Sequence, residues 1–360
     1  MNKKEIISTN QFVWMLFTII TSFTTLQILG MLIFHAGREA WLSAVVAWFL
    51  DVMLALVYGY MGIRFPGQNM MQYSITILGK FFGRIAALLF CFFFLMVASL
   101  LMRSIGMLIG NVILPNTPLQ LIILTGFIFS GFAVKKGIET IARTCEVLGP
   151  IYLISLILLI IFIAPLVDIN NLKPQLTHGV YPFLSGSIFI LSYIGICIIM
   201  GMYIPICNHQ ENGFIAKFTA VSIGTFVISA LVSLGVGVFG VEQAGNLVNV
   251  GWQLTRMIDI GDIIQRVEII WMIIAIGAGI MTVTNMIWAA SLGFSQTIGL
   301  SSHKPLVYPT ILIAMVLSII SFDSNVELLN FAFYSYPFIG IIIESGLEIF
   351  LFITAILLKK

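Results

Sequence analysis

The side chains able to do chemistry in this chain are few, and they lie in apolar surroundings. Asp51, Arg103, Glu344 and Glu348 each interrupt a hydrophobic run. Glu344 and Glu348 are four residues apart, so on a helix they share a face. An ionisable group inside an apolar span is costly. It marks an ion or proton path, unless it only ties one helix to another. Two polar interruptions add to this set. Thr24-Thr25-Leu26-Gln27-Ile28-Leu29-Gly30 falls in the middle of the first apolar stretch, and Ser192-Tyr193-Ile194-Gly195 interrupts a later aliphatic run, with Gly201 and Pro205 beyond it. A break in a spanning helix is tolerated where protein or a wet cavity replaces the lost backbone partners. The half-helix after the break presents free N–H groups and the positive dipole end, which suit a carboxylate. Carbonyls freed at the break suit an ammonium group or a cation. Thr25, Gln27, Gly30, Tyr193, Ile194 and Gly195 are therefore candidate ligand-binding residues. Thr282 and Thr284, with Asn285, would add polar groups, and Phe93, Phe94 and Val97 an apolar wall. Gln27 faces either the ligand or a neighbouring helix.

Other chemistries find no support. No nucleophile–base pair, metal-ligand spacing or phosphate loop occurs, so an enzyme, a metal or a cofactor is not expected. Cys91, Cys145, Cys197 and Cys207 have no CxxC spacing and read as small hydrophobes. His35, His178, His209 and His303 are scattered, with no pair at i and i+4. A net charge of +2 says little, and no nucleic-acid partner is expected.

The elements that must position these residues are membrane-spanning helices. Of 360 residues, 60% are hydrophobic and 9% charged, and mean hydropathy is +1.09. Globular chains run near a quarter charged. Apolar runs long enough to cross a hydrocarbon core recur from end to end. The roughly ten-residue alternating segments of a membrane β-barrel are absent from the sequence. The pattern predicts an all-α integral membrane protein with about ten spans, at 11–34, 41–63, 81–111, 119–134, 145–166, 182–206, 214–239, 266–298, 305–321 and 332–357. Lys3-Lys4 ahead of an apolar run resembles a signal peptide. The run is too long and has no small-residue cleavage site, so it reads as a retained first span.

Ten spans put both termini on one side. With the termini inside, the inner segments hold twelve basic residues: Lys3, Lys4, Arg64, Lys80, Arg84, Lys135, Lys136, Arg143, Lys217, Lys304, Lys359 and Lys360. The outer segments hold four: Arg38, Lys173, Arg256 and Arg266. Positive charge favours the cytoplasmic side, so the termini are expected there. The longest outer loop, 240–265, turns amphipathic from Trp252 to Ile264 and reads as a lid or a partner surface. No loop is long enough to fold alone, so the chain is expected to be one transmembrane domain, 1–360. The two interruptions open corresponding halves, roughly 1–166 and 182–357. An odd number of spans per half inverts one half relative to the other. Interrupted spans at matching positions of inverted repeats point to a transporter-type site near the midplane.

Several stretches carry a resemblance that spans essentially the whole chain. They include Ile7-Ser8-Thr9-Asn10-Gln11-Phe12, Glu39-Ala40-Trp41-Leu42-Ser43, Phe65-Pro66 and Ile77-Leu78-Gly79-Lys80-Phe81-Phe82-Gly83. Further on come Gly137-Ile138-Glu139-Thr140-Ile141-Ala142-Arg143-Thr144-Cys145-Glu146, Asn171-Leu172-Lys173-Pro174, and Arg256 to Glu268. In order and spacing they resemble the B subunits of spore germinant receptors, within the amino-acid/polyamine/organocation transporter superfamily. The chain departs from that pattern at His35-Ala36-Gly37, where many relatives have proline, and at Ile196-Cys197, where an acidic residue is frequent. The resemblance implies an inner-spore-membrane protein that senses a small germinant, often an amino acid, and gates ion movement. It also implies two partners, an A subunit with soluble domains and a lipoprotein C subunit. Two other readings stand beside this one: a proton- or sodium-coupled secondary transporter of amino acids or organocations, and a purely structural subunit. The lack of an acidic residue in the sixth span favours the receptor over proton-coupled transport.

Overall fold

A computed structural model describes residues 5–174, 179–258 and 267–359. Lys3, Lys4, His178, Arg266, Lys360 and the loop segment 259–266 lie outside the described residues. The chain is nearly all helix, with no strand among the described residues. The one β-type pairing is an isolated parallel bridge between Ile7 and Cys207. It seats the N-terminal segment beside the end of the sixth apolar run, through Ile7 N–H to Ile206 C=O at 2.9 Å and Asn208 N–H to Ile7 C=O at 2.9 Å.

Helix α1 runs Thr9–Gln27 and α2 Leu29–Ala36. Ser8 caps α1 by accepting from Gln11 N–H, while the Gln11 side chain accepts from Ser8 N–H, so two orphan donors are satisfied together. Asn69 and Gln72 repeat the device at the start of α4 (Met70–Val112), which follows α3 (Ala40–Arg64). Then come α5 (Leu119–Lys136), α6 (Ile138–Ile163), α7 (Tyr181–Ile194) and the short α8 (Met200–Tyr203). Helix α9 spans Gly213–Asn246, α10 Val250–Arg256 and α11 Val267–Ile298. The chain finishes with α12 (Val307–Ile320), α13 (Asn325–Asn330), α14 (Tyr336–Gly340) and α15 (Glu348–Leu357). Helices α4 and α9 each bend where a glycine takes a left-handed backbone angle, Gly79 at φ 81° and Gly240 at φ 74°. A side chain at either position would be strained.

Among the described residues, eight helical segments are long and apolar enough to cross a membrane. The first expected span corresponds to α1 with α2, and the ninth to the shorter α12. Helix α1 lies at the centre, packed on α6, α9 and α11, and α4 packs along α11. Its polar residues Thr18, Thr21, Ser22, Thr24, Thr25 and Gln27 are all buried. Large apolar side chains such as Phe81, Phe129, Phe132, Phe226 and Ile320 point outward, as a lipid-facing surface requires. Of the 240–265 loop, residues 240–246 finish α9 and the later described part forms α10, which packs on α1, α9 and α11.

Candidate functional site

The interruption in the first span is slight. Ile28 sits between α1 and α2 with φ −101° and ψ −18°, still right-handed, and the chain keeps its Ile28 N–H to Thr24 C=O bond at 3.0 Å. The polar side chains here find their partners close by. Thr21, Thr24 and Thr25 donate to the carbonyls of Phe17, Ile20 and Thr21 at 2.6–2.7 Å. The Thr25 hydroxyl also bonds the Tyr152 hydroxyl at 2.5 Å. Gln27 turns to α4, where its Oε1 accepts from Ser104 at 2.6 Å. Gly30 packs on protein backbone: a Cβ there would collide with the Leu247 carbonyl and sit 3.3 Å from that of Ala244. The Thr25 carbonyl is covered by α10, since a Cβ on Gly251 would lie 3.2 Å from it.

The second interruption meets different neighbours. Gly195–Ile199 tightens into a 3₁₀ stretch between α7 and α8. The last span then loosens at two places, with π-helical turns at Phe331–Ser335 and Ile341–Leu347 on either side of α14. Such turns often sit at functional sites because they re-aim side chains. Here they put Glu344 against Gly195, so that a Cβ on Gly195 would strike the Glu344 carboxylate. The span places a side-chain carboxyl group beside the interrupted backbone, where the sequence expectation put the carboxylate of a ligand.

Above Gly195 runs a column of rings. His35 stacks on Phe333 at 4.4 Å and lies 4.7 Å from Phe189. Phe189 meets Tyr193 at 5.3 Å, and Tyr193 stacks on Tyr336 at 4.6 Å. Tyr336 in turn faces Phe93 at 6.3 Å, and Phe23 packs edge-on against both tyrosines. Val97, one turn from Phe93, is buried, as is Ile194. The Tyr193 hydroxyl donates to the Ala332 carbonyl, whereas the buried Tyr336 hydroxyl has no partner among the described residues. Sequence reasoning missed Phe23, Phe189 and Tyr336, because an aromatic residue in an apolar span has the same signature facing lipid or core.

Below this column lies a buried charged cluster. Lys217 Nζ is 2.8 Å from Asp51 Oδ1, and both side chains are fully buried. Lys217 therefore leaves the tally of inner-loop charges, since it sits inside the bundle on α9. Its Nζ also rests 4.5 Å over the Tyr58 ring, and the Tyr58 hydroxyl donates to the Glu344 backbone carbonyl. Tyr73 donates to Glu348 Oε1 at 2.6 Å. Asp51 Oδ2, Glu344 Oε1 and Glu348 Oε2 are buried without hydrogen-bond partners among the described residues. Lys217, Tyr58 and Tyr73 are members of the cluster that the sequence did not reveal.

The remaining expected residues are more scattered. Thr282 bonds Ser22 at 2.8 Å and the Thr18 carbonyl at 3.2 Å, joining α11 to α1. Thr284 points to α5 and donates to Ser130 at 3.1 Å. Arg103 clamps the end of α12, donating to the carbonyls of Ser318, Ile319 and Phe322 at 2.8–3.2 Å. Among the described residues, no three His, Cys, Asp or Glu side chains converge as metal ligands do. A cavity of about 860 Å³ opens at the end of the bundle that carries the N-terminal segment, lined by Asn69, Gln72, Trp288, Gln296 and His303. Its inner wall is Trp288, which stacks on Tyr203 at 5.7 Å, and Tyr203 donates to Asn285 at 2.6 Å.

Comparison with known proteins agrees with this architecture. Two solved transporters match the fold, each with a TM-score of 0.69. A substrate-bound, outward-open Na⁺-coupled sialic acid symporter shares 13% identity, covering 95% of this chain and 78% of its own. Mhp1, a nucleobase-cation-symport-1 family transporter closed around bromovinylhydantoin, shares 14%, covering 94% and 78%. The likeness shows the fold, that of helical transporters with inverted repeats. Among curated sequences, spore germination protein KB of Bacillus subtilis (strain 168) is 26% identical over 332 residues, 90% of this chain and 88% of the relative. Spore germination protein YndE of the same strain is 26% identical over 273 residues, 74% and 73% of the two chains. The profile described as "Spore germination protein" matches residues 6–326, and this integral membrane chain belongs to that family.

Proposed function

We propose that this chain is the membrane subunit of a spore nutrient-germinant receptor. A small germinant, an amino acid by this reading, binds near the midplane between α1, α4, α7 and the Phe331–Leu357 segment. The observation that carries the proposal is a pair of unsatisfied buried polar atoms, Glu344 Oε1 and the Tyr336 hydroxyl, beside Gly195 and the rings of Phe23, Phe93 and Tyr193. Apolar walls with a few convergent polar groups are the usual make-up of a small-ligand site. A germinant ammonium would pair with Glu344, and its apolar part would replace ring-on-ring contacts. Since those rings now fill the space, binding must part them. The ligand shifts the chain toward that parted state through unequal affinity for the two. Asp51, Glu344 and Glu348 form the ion path that opens with it, and Arg103 acts as a clamp on α12 at the edge of that path.

On this reading the protein resides in the inner spore membrane with its termini in the spore core. The inverted repeats are roughly 1–166 and 182–357, and the chain works with an A subunit with soluble domains and a lipoprotein C subunit. The test is thermal unfolding of the purified full-length protein against a panel of amino acids and sugars. A ligand at 100 times its Kd that binds only the native state adds about 2.7 kcal/mol of apparent stability. A shift that disappears in Tyr336→Ala supports the site. A panel with no shift, or a shift indifferent to Tyr336, overturns it.

One observation favours a second reading, a coupled transporter of small organic solutes. The cavity walled by Trp288 provides a way out on one side of the midplane, behind the Tyr203–Trp288 stack. Accumulation of a labelled amino acid in vesicles that hold this chain alone would replace the receptor with that reading.

A further inference from the structure

The buried cluster on α3, α9 and the last span has a charge imbalance. It contains three carboxylates, Asp51, Glu344 and Glu348, and one ammonium group, Lys217, each 1% exposed or less. Lys217 is committed to Asp51 at 2.8 Å. The groups that interact electrostatically with the two glutamates are Asp51 and Tyr58 from α3, Tyr73 from α4, Lys217 from α9, Tyr193 from α7, Cys197 from the 3₁₀ stretch and Tyr336 from α14. Among the described residues, no cationic side chain beyond Lys217 does so. Buried Glu344 Oε1, Glu348 Oε2 and the Tyr336 hydroxyl have no hydrogen-bond partner among the described residues.

Two uncompensated negative charges in such a place would be very costly, because a buried ion needs a counter-ion and a full set of hydrogen bonds. A proton on each carboxylate removes the charge without needing room. A metal ion held by side chains would need three or more converging His, Cys, Asp or Glu ligands, and no such group occurs among the described residues. We propose that Asp51, Lys217, Glu344 and Glu348 form an occluded proton-binding site. Lys217 and Asp51 make the ion pair, and Glu344 and Glu348 each hold a proton while the helices are closed around them. Each proton is taken up by a carboxylate oxygen from water and returns to water when the cluster is wetted, with no other bond made or broken. This names the ion of the path proposed above and rests on that reading.

The test is infrared spectroscopy of the purified full-length protein near neutral pH. The readout is the carbonyl band of un-ionised carboxylic acids, identified by its shift in heavy water. Wild type should show the band. Glu344→Gln and Glu348→Gln should each remove one component, and the double variant should abolish it. Wild type also gives a second readout, needed if a variant fails to fold. With two protons held by the folded state and not by the unfolded chain, the unfolding constant should rise by about a hundredfold per pH unit above the ordinary carboxylate range, roughly pH 4.3, until the buried carboxylates ionise. No band in wild type, a band undiminished in the double variant, or a cluster that responds to sodium chloride and not to pH overturns the proposal. The last outcome would make it a sodium site. None of these readouts uses a germinant, so their failure is distinct from failure of the ligand-binding assay.

Discussion

The interruptions at Ile28 and at Gly195–Ile199 occupy matching places in the two halves, yet their surroundings differ in kind. Around Ile28 the neighbours are mainly backbone and hydroxyl groups. Gly30 abuts the Leu247 carbonyl, α10 covers the Thr25 carbonyl, and the threonines bond within their own helix, Thr25 adding one bond to the Tyr152 hydroxyl. Around Gly195 the neighbours are titratable or aromatic: Glu344 touches it, Tyr193 and Tyr336 stack beside it, and Lys217 with Asp51 lies close by. Fold symmetry has therefore not produced chemical symmetry. The first interruption is a packing joint, and the second is where charge and ligand-sized polar groups gather. On the proposed function, the first interruption is the side that holds and the second the side that responds.

The largest expected effect comes from breaking the responsive side at its ion pair. Lys217→Met leaves Asp51 buried without its counter-ion, which costs about 3–5 kcal/mol. Asp51→Asn in the same chain should recover much of that loss, because the orphaned charge is gone. Thermal unfolding of the two single variants and the double variant measures the coupling. Purely additive losses would mean that the 2.8 Å pair is not an energetic unit.

Next in size are substitutions at the two glycines, which set the halves directly against each other. Gly30→Ala pushes a methyl group into a backbone carbonyl that cannot step aside, and overpacking of this kind costs about 1–3 kcal/mol. Gly195→Ala meets the end of a side chain instead. Glu344→Asp in the Gly195→Ala background withdraws that carboxylate and should restore part of the lost stability, whereas no side-chain trimming should rescue Gly30→Ala. Equal rescue at both sites, or at neither, would erase the contrast between joint and site.

How much of this was legible in the sequence follows from the physics of each feature. The spans were legible because length and hydropathy are local properties, and Asp51, Glu344 and Glu348 stood out against an apolar background. The role of Lys217 was not, because it lies within a turn of the start of α9, where a basic residue reads as a loop charge. Its partner is 166 residues away. The aromatic column was hidden for another reason. Phe92 is 55% exposed and Phe93 1%, yet in a membrane both environments are apolar, so no periodicity separates them. The π-helical turns that aim Glu344 at Gly195 leave no pattern in residue types. Gln27 could be read as facing either the ligand or a neighbouring helix, and only the tertiary contact with Ser104 decides between them.

The smallest stability effect is also the sharpest probe of the site, because it separates two stacked tyrosines. The Tyr193 hydroxyl donates to the Ala332 carbonyl, so Tyr193→Phe loses a hydrogen bond and strands an acceptor, at about 1–3 kcal/mol. The Tyr336 hydroxyl has no partner. Tyr336→Phe therefore removes an unsatisfied buried group while keeping the ring and its stacking, and should change stability by less than about 1 kcal/mol in either direction. If that hydroxyl waits for the germinant, its loss should raise the ligand concentration that half-saturates the thermal shift by roughly tenfold, as the loss of about 1.4 kcal/mol of binding would. A Tyr336→Phe protein as unstable as Tyr193→Phe, or one with ligand response unchanged, would move Tyr336 from the responsive side of the comparison to the side that only packs.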